Sequence, residues 1–131
     1  MLIPVARGTP TSSGVGFTSG LLTGTAERKG ARVDVWVRHT ETREEVMRLH
    51  DGTVFKIDGV DQTFAKATGA YELHRQTIDC SARSVRTYEV VTYKETGGPP
   101  VTESSSRDGR MNPVVPGSVG EAIVDFACQL Y

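Results

Sequence analysis

Near its end the chain reads PVVPGSVGEAIVDFACQLY, from Pro113 to Tyr131, and this stretch constrains the fold more than any other. Pro113 and Pro116 keep the residues before them extended, because the proline ring clashes with helical backbone at the preceding position. Ser118 then fits an N-cap. Glu121, three residues later, completes a Ser-x-x-Glu capping box in which each side chain takes a free backbone N–H. Val119, Ala122, Ile123, Phe126, Ala127 and Leu130 form an apolar stripe at helical spacing. Gly120 in the first turn costs about 1 kcal/mol relative to alanine. A lone helix of about 13 residues is marginal in water, so its stripe must dock on something. The rest of the chain reads as strands and turns, so the only surface on offer is a sheet.

The strand signals run as follows. RVDVWVRHT alternates Val33, Val35 and Val37 with Asp34, Trp36 and Arg38, a period of two with an aliphatic face toward a core. Trp36 lies on the other face, which is then not fully wet. Asp51-Gly52 and Asp58-Gly59 favour the positive φ values of two-residue hairpin turns, with short strands expected near 45–50 and 53–57. AYELHRQTIDC is another strand. SVRTYEVVTY places Val85, Thr87, Glu89, Val91 and Tyr93 on one face and Arg86, Tyr88, Val90 and Thr92 on the other. Both faces hold apolar or aromatic groups, which predicts a central strand. KETGGPP is a turn, and VTESSS a polar strand near an edge.

From Gly8 to Gly30, glycine, serine, threonine and proline supply 15 of 23 residues. Such a segment buries little, so residues 1–30 are expected as a loose or edge-lying arm, with Phe17, Leu21 and Leu22 of GFTSGLL as its anchors. Residues 31–131 then form a single α+β domain.

Fifteen basic and 16 acidic residues leave a net charge of −1, which offers no global field to draw nucleic acid or an anionic membrane. No stretch approaches the roughly 20 apolar residues of a membrane span. MLIPVARG, broken by Pro4 and Arg7, is too short for a signal peptide, which leaves either cytosolic residence or export by a signal outside this sequence.

Two cysteines are present, Cys80 at the end of a strand and Cys128 at the flank of the helical stripe. A helix laid across the sheet would bring them within reach of each other; spacing alone equally allows two buried thiols. Neither belongs to a C-x-x-C pair, and His39, His50 and His74 are scattered, so no zinc site or other cofactor is implied.

IDCSARSVRTYEVVTY, a Gly-Gly turn, a serine-rich strand and NPVVPGSVGEAIVDFAC together resemble the surface-adhesin protein E-like domain family. The matching positions are Asp79, Cys80, Arg86, Tyr93, Pro113, Pro116, Gly117, Ser118 and Cys128, and RKGARVDVWVRHT resembles the family's upstream tryptophan strand. Arg110-Met111 stand where the family often has an aromatic residue, and 41–65 departs from its pattern. The resemblance implies an antiparallel sheet with a C-terminal helix packed on one face and tethered by a Cys80–Cys128 disulfide. It also implies an exported bacterial protein, periplasmic or at the outer-membrane surface, touching the membrane only through a lipid anchor absent from this sequence. The family's named member is an adhesin for host matrix proteins.

Ser104, Ser105 and Ser106 lack a G-x-S-x-G elbow, and GTPTSSGVG lacks the Lys-Ser/Thr ending of a phosphate loop. Cys80 and Cys128 lack a neighbouring base, so a structural bridge outweighs a redox pair. Trp36, Arg86 and Tyr88, with Arg75 and Arg83 nearby, are the residues suited to a partner surface, since tryptophan, tyrosine and arginine dominate binding hot spots. The expected function is a non-catalytic envelope or surface domain binding a host matrix or envelope protein through a sheet face or edge. The alternatives are a homodimer formed through the Trp36 face and, more remotely, a small hydrolase using His74 or His50 with a carboxylate.

Overall fold

The computed structural model describes residues 2–7, 15–105 and 110–131. Ten strands and one helix follow in order: β1 (Leu2–Arg7), β2 (Val15–Leu22), β3 (Glu27–Lys29), β4 (Arg32–Val46), β5 (Lys56–Ile57), β6 (Val60–Asp61), β7 (Thr63–Asp79), β8 (Ser84–Tyr93), β9 (Pro100–Ser105), β10 (Asn112–Pro113) and α1 (Val119–Leu130). All but β5 and β6 join one antiparallel sheet, ordered β1-β2-β4-β7-β8-β10, with β3 beside β4 and β9 beside β8. The sheet curls into a half-barrel.

The valine alternation of β4 does what a period of two predicts. Val33, Val35 and Val37 are fully buried, and Ile78 on β7 and Leu21 on β2 join them. Ile123, Val124 and Ala127 of α1 close the cluster from above. The helix therefore lies on the aliphatic face of the sheet, as its need for a dock required. Its orientation differs from the predicted stripe. Phe126 is 36% exposed and Leu130 46%, while Val124 is buried and Cys128 and Tyr131 pack against the core. The disulfide and the Val124–Cys128 side of the helix turn inward, which rotates Phe126 and Leu130 outward.

The helix start follows the sequence in one half only. The Ser118 hydroxyl accepts from Glu121 N at 3.1 Å. The Glu121 carboxylate, however, accepts from Gly117 N at 3.2 Å rather than from Ser118 N, which donates instead to Val115 O. The Pro-Gly-Ser turn places a different free N–H within reach of the carboxylate.

The Asp-Gly turns are present: Asp58 (φ 50°) and Gly59 (φ 76°) join β5 to β6, and Arg48 bridges Val54 around Asp51-Gly52. The strand leading into them is longer than predicted, because β4 runs to Val46 opposite Thr63 of β7. Strand β8 is flanked on both sides, by β7 and by the short β9 and β10, as its two apolar faces predict. Those faces meet the core on one side and a layer of arginines and aromatics on the other. Finally, within the stretch expected as an arm, Val15–Leu22 pair along β4 from Arg43 to Val37 and bury Leu21 completely. The GFTSGLL island holds this segment in the sheet; Gly8 to Gly14 lie outside the described residues.

Two bulges bend the long strands. One lies in β7, where Thr68 to Ala70 stand opposite the single residue Glu41 of β4. Within it Gly69 adopts φ +97°, a conformation that L side chains rarely take, so this position requires glycine. The second lies in β8, where Arg75 pairs Glu89 but Gln76 pairs Thr87, leaving Tyr88 as the extra residue. This bulge shifts the parity of β8. Arg86 comes onto the same face as Glu89, Val91 and Tyr93, and Val85 and Thr87 align with Val90 and Thr92. Strict alternation, the basis of the predicted faces, fails at that residue.

Candidate functional site

Several contacts converge on the disulfide. Cys80 and Cys128 are bonded, with Cα atoms 5.8 Å apart. The β7–β8 turn is built by Asp79, whose Oδ1 accepts from both Ser81 N and Ala82 N at 3.0 Å. Cys80 N donates to Ala31 O, which ties the turn to the entry of β4. Arg83, at φ 50°, reaches the helix: its Nη2 lies 2.6 Å from Asp125 and 3.7 Å from Glu121. Hydrogen bonding to Asp125 holds this guanidinium above its ordinary pKa. Arg28 Nη1 approaches Cys128 O at 3.4 Å, a cation placed at the negative end of the helix. Every one of these contacts fixes the helix on the sheet, so the cysteines and their neighbours are structural. Asp79→Ala removes two backbone bonds to a carboxylate and is expected to cost about 1–2 kcal/mol, read as a lower melting temperature with the disulfide retained.

The sheet face opposite the helix is different in kind. Trp36 stands directly across from Arg75, which pairs in turn with Glu89 at 3.9 Å. The Arg75 guanidinium lies 5.0 Å from the Tyr88 ring centroid, and that of Arg86 lies 5.2 Å from the same ring. Thus Arg86 and Tyr88 meet, and Trp36 joins them through Arg75. Further along, Arg38 lies 4.1 Å over the Tyr71 ring, and Tyr71 stacks on Tyr93 at 4.5 Å and 9°. Asp34 accepts the Thr77 hydroxyl on this face. Most of these side chains are half-buried, lying over one another. Four of these residues, Trp36, Arg75, Tyr88 and Arg86, are visible in the sequence. Arg38, Tyr71 and Tyr93 escape it as a group, because they come from three strands whose register no local pattern encodes. The one available clue is that Arg38 follows Trp36 by two residues in the same strand.

A polar chain also crosses the sheet on the core side, beyond the helix. The Ser19 hydroxyl and His39 Nδ1 are 2.7 Å apart, the His39 and His74 rings meet edge to face at 4.5 Å, and His74 Nε2 is 2.9 Å from Glu72. Burial first, then the neighbouring His74, lowers the His39 pKa to about 4, with Glu72 opposing. The structure therefore brings His74 to a carboxylate, as the hydrolase alternative needs, and sets a serine beside the other histidine. Ser19 is 4% exposed, which gives a substrate no approach to its hydroxyl. The described hollows, of about 70, 230 and 170 Å³, are lined by no histidine. The second is lined by Ser104 and Ser105 with Glu89 and Glu103. Ser106 lies outside the described residues. His50 is exposed in the turn region, outside this polar chain. Among the described residues no group of three or more His, Cys, Asp or Glu side chains is placed to hold a metal ion, and no helix is long and apolar enough to cross a membrane.

Comparison with known proteins adds one finding. The sequence model of the surface-adhesin protein E family matches residues 23–129. No curated protein and no solved structure matches the chain.

Proposed function

The chain belongs to the surface-adhesin protein E family, and from that premise we propose that it is a non-catalytic binding domain that engages a protein partner through the sheet face opposite its helix. The family implies a surface-exposed or exported protein, and the reading here is that it works at the outer surface of the envelope. A host matrix or envelope protein is the partner class. The observation that carries this is the cluster of Trp36, Arg75, Tyr88 and Arg86 on the sheet face opposite the helix. Such side chains present large, pre-ordered contact area at small entropic cost, and hot spots are built from them. Arginines laid over tyrosines are also already held in place, so less ordering remains for binding to supply.

The test is surface-plasmon binding to immobilised laminin, vitronectin and an outer-membrane extract. Trp36→Ala and Tyr88→Ala are each expected to weaken the response at least tenfold with unchanged melting temperature. Full binding by both variants would remove the face from consideration. A second reading, a homodimer through the same face, is favoured by the same Trp36 cluster. It expects a solution mass of two chains by sedimentation and a single-chain mass for Trp36→Ala.

A further inference from the structure

Building on that partner-binding reading, we propose that the partner presents an acidic protein segment and that Arg38 receives its carboxylate. Arg38 is held from two directions. Its Nε donates to Thr40 Oγ1 at 3.2 Å, and its guanidinium carbon lies 4.1 Å from the centroid of the Tyr71 ring, which is itself stacked on Tyr93. The group is thus fixed in place and orientation before any ligand arrives. Three arginines elsewhere in the fold are matched to carboxylates, Arg32 to Asp79, Arg75 to Glu89 and Arg83 to Asp125, and Arg28 and Arg48 reach backbone carbonyls. Among the described residues no carboxylate stands within ion-pair distance of Arg38.

Its surroundings strengthen whatever anion it meets. Leu73 sits directly across from it on β7, and Val91, 7% exposed, is next along that row on β8. A guanidinium set among apolar side chains is poorly solvated, and its planar fork suits a carboxylate through two parallel bonds. The rest of the face sets the direction of approach. Glu89 and Glu103 line a hollow at the β8–β9 side and would repel an acidic segment there. The β4–β7 side carries Trp36, Arg38, Arg75 and Tyr71, where a carboxylate and a flanking apolar or aromatic residue are both accommodated. One uncommitted, ring-backed cation among carboxylates suits a single acidic side chain of a protein. A sulfated polysaccharide would need a row of cations uninterrupted by Asp34, Glu89 and Glu103.

Trp36 is the sole tryptophan, so its fluorescence reports on this face alone. The probe is a random glutamate–tyrosine copolymer, titrated with excitation selective for tryptophan, beside a lysine–tyrosine copolymer and heparin. The expected result is saturable change with the glutamate copolymer, none with the lysine copolymer, and weaker change with heparin. Arg38→Gln is expected to weaken the glutamate copolymer by roughly tenfold, Arg38→Lys by less, and Arg48→Gln, off the face, not at all. Should Arg38→Gln fail to fold, Arg38→Lys alone carries the test, because its loss of the fork must still weaken binding. Undiminished affinity in the Arg38 variants, no saturation, or heparin binding as tightly as the glutamate copolymer overturns the assignment. If Trp36→Ala abolishes matrix-protein binding but Arg38→Gln does not, the face stands as the partner site and the acidic chemistry alone falls. If the matrix panel fails while the copolymer result depends on Arg38, the acidic assignment stands without that panel.

Discussion

Cys80→Ala/Cys128→Ala is expected to lose about 4 kcal/mol of stability, a substantial share of the roughly 5–15 kcal/mol that holds a domain folded. The sequence separation of the pair is 48 residues. Constraining a loop of that length removes roughly 4 kcal/mol of chain entropy from the unfolded state. The loss does not end there, because the helix depends on the bond. Its twelve residues bury only Ile123, Val124 and Ala127 fully, and Phe126 and Leu130 are partly in water. A helix this short does not persist alone. What remains without the bond is the core contact, the Arg83–Asp125 pair and the Arg28 contact to the last turn. The first is the main term, and exposed ion pairs contribute about 1 kcal/mol or less. Denaturant titration of oxidised and reduced protein checks this. Both the chemical reduction and the double substitution should lower the midpoint by a similar amount, with helical ellipticity lost ahead of the sheet. A midpoint within 1 kcal/mol of the native protein would mean that packing, not the bond, seats the helix.

Much of this arrangement was legible in the chain, and the illegible parts share a cause. The valines of β4, the Asp-Gly turns, the Ser118 cap and the helix on the sheet each arise within a few residues, where a period or a turn preference is local. The Cys80–Cys128 bond entered through family resemblance and was found as such. What local reasoning missed depends on register. Tyr88 bulges from β8 only because β7 cannot match it residue for residue, and this one displacement carries Arg86 to the face of Trp36. The β8 sequence alternates cleanly and holds no sign of it. Likewise the Tyr71–Tyr93 stack joins residues 22 apart in the chain through the β7–β8 pairing. The helix rotation has the same origin. Phe126 and Leu130 lie on the predicted stripe, but the bond through Cys128 sets a different inward edge. The buried His39–Ser19 pair was also beyond reach, since β2 lay in a segment whose composition argued for a loose arm.

Lowering the pH from about 7 to 4.5 should destabilise the protein by on the order of 2 kcal/mol through His39 alone, after allowance for partial solvent access to the ring. The sign follows from where the proton goes. In the unfolded chain this imidazole has its ordinary pKa of 6.5, whereas in the fold burial and then His74 lower it to about 4. Between these values the unfolded chain binds a proton that the native state refuses, so stability rises with pH through that window and is lost as pH falls through it. Above 6.5 both states are neutral and the contribution is flat. The groups facing the ring explain the refusal. Ser19 from β2 occupies Nδ1 at 2.7 Å, and the His74 ring from β7 stands edge-on at 4.5 Å. Glu72, also on β7, is the one opposing charge and is already engaged by His74. Protonating His39 would therefore set a cation beside a second imidazole with the nearest carboxylate shared. His39→Gln keeps a polar partner for Ser19 and cannot titrate. Its denaturant midpoint should fall less than that of the native protein between pH 7 and 4.5, the difference developing below about pH 6.5. Ordinary carboxylate protonation acts on both proteins and cancels in the comparison. Parallel pH curves for the two proteins would show that the imidazole charges in place, and that the chain Ser19–His39–His74–Glu72 tolerates a proton its geometry argues against.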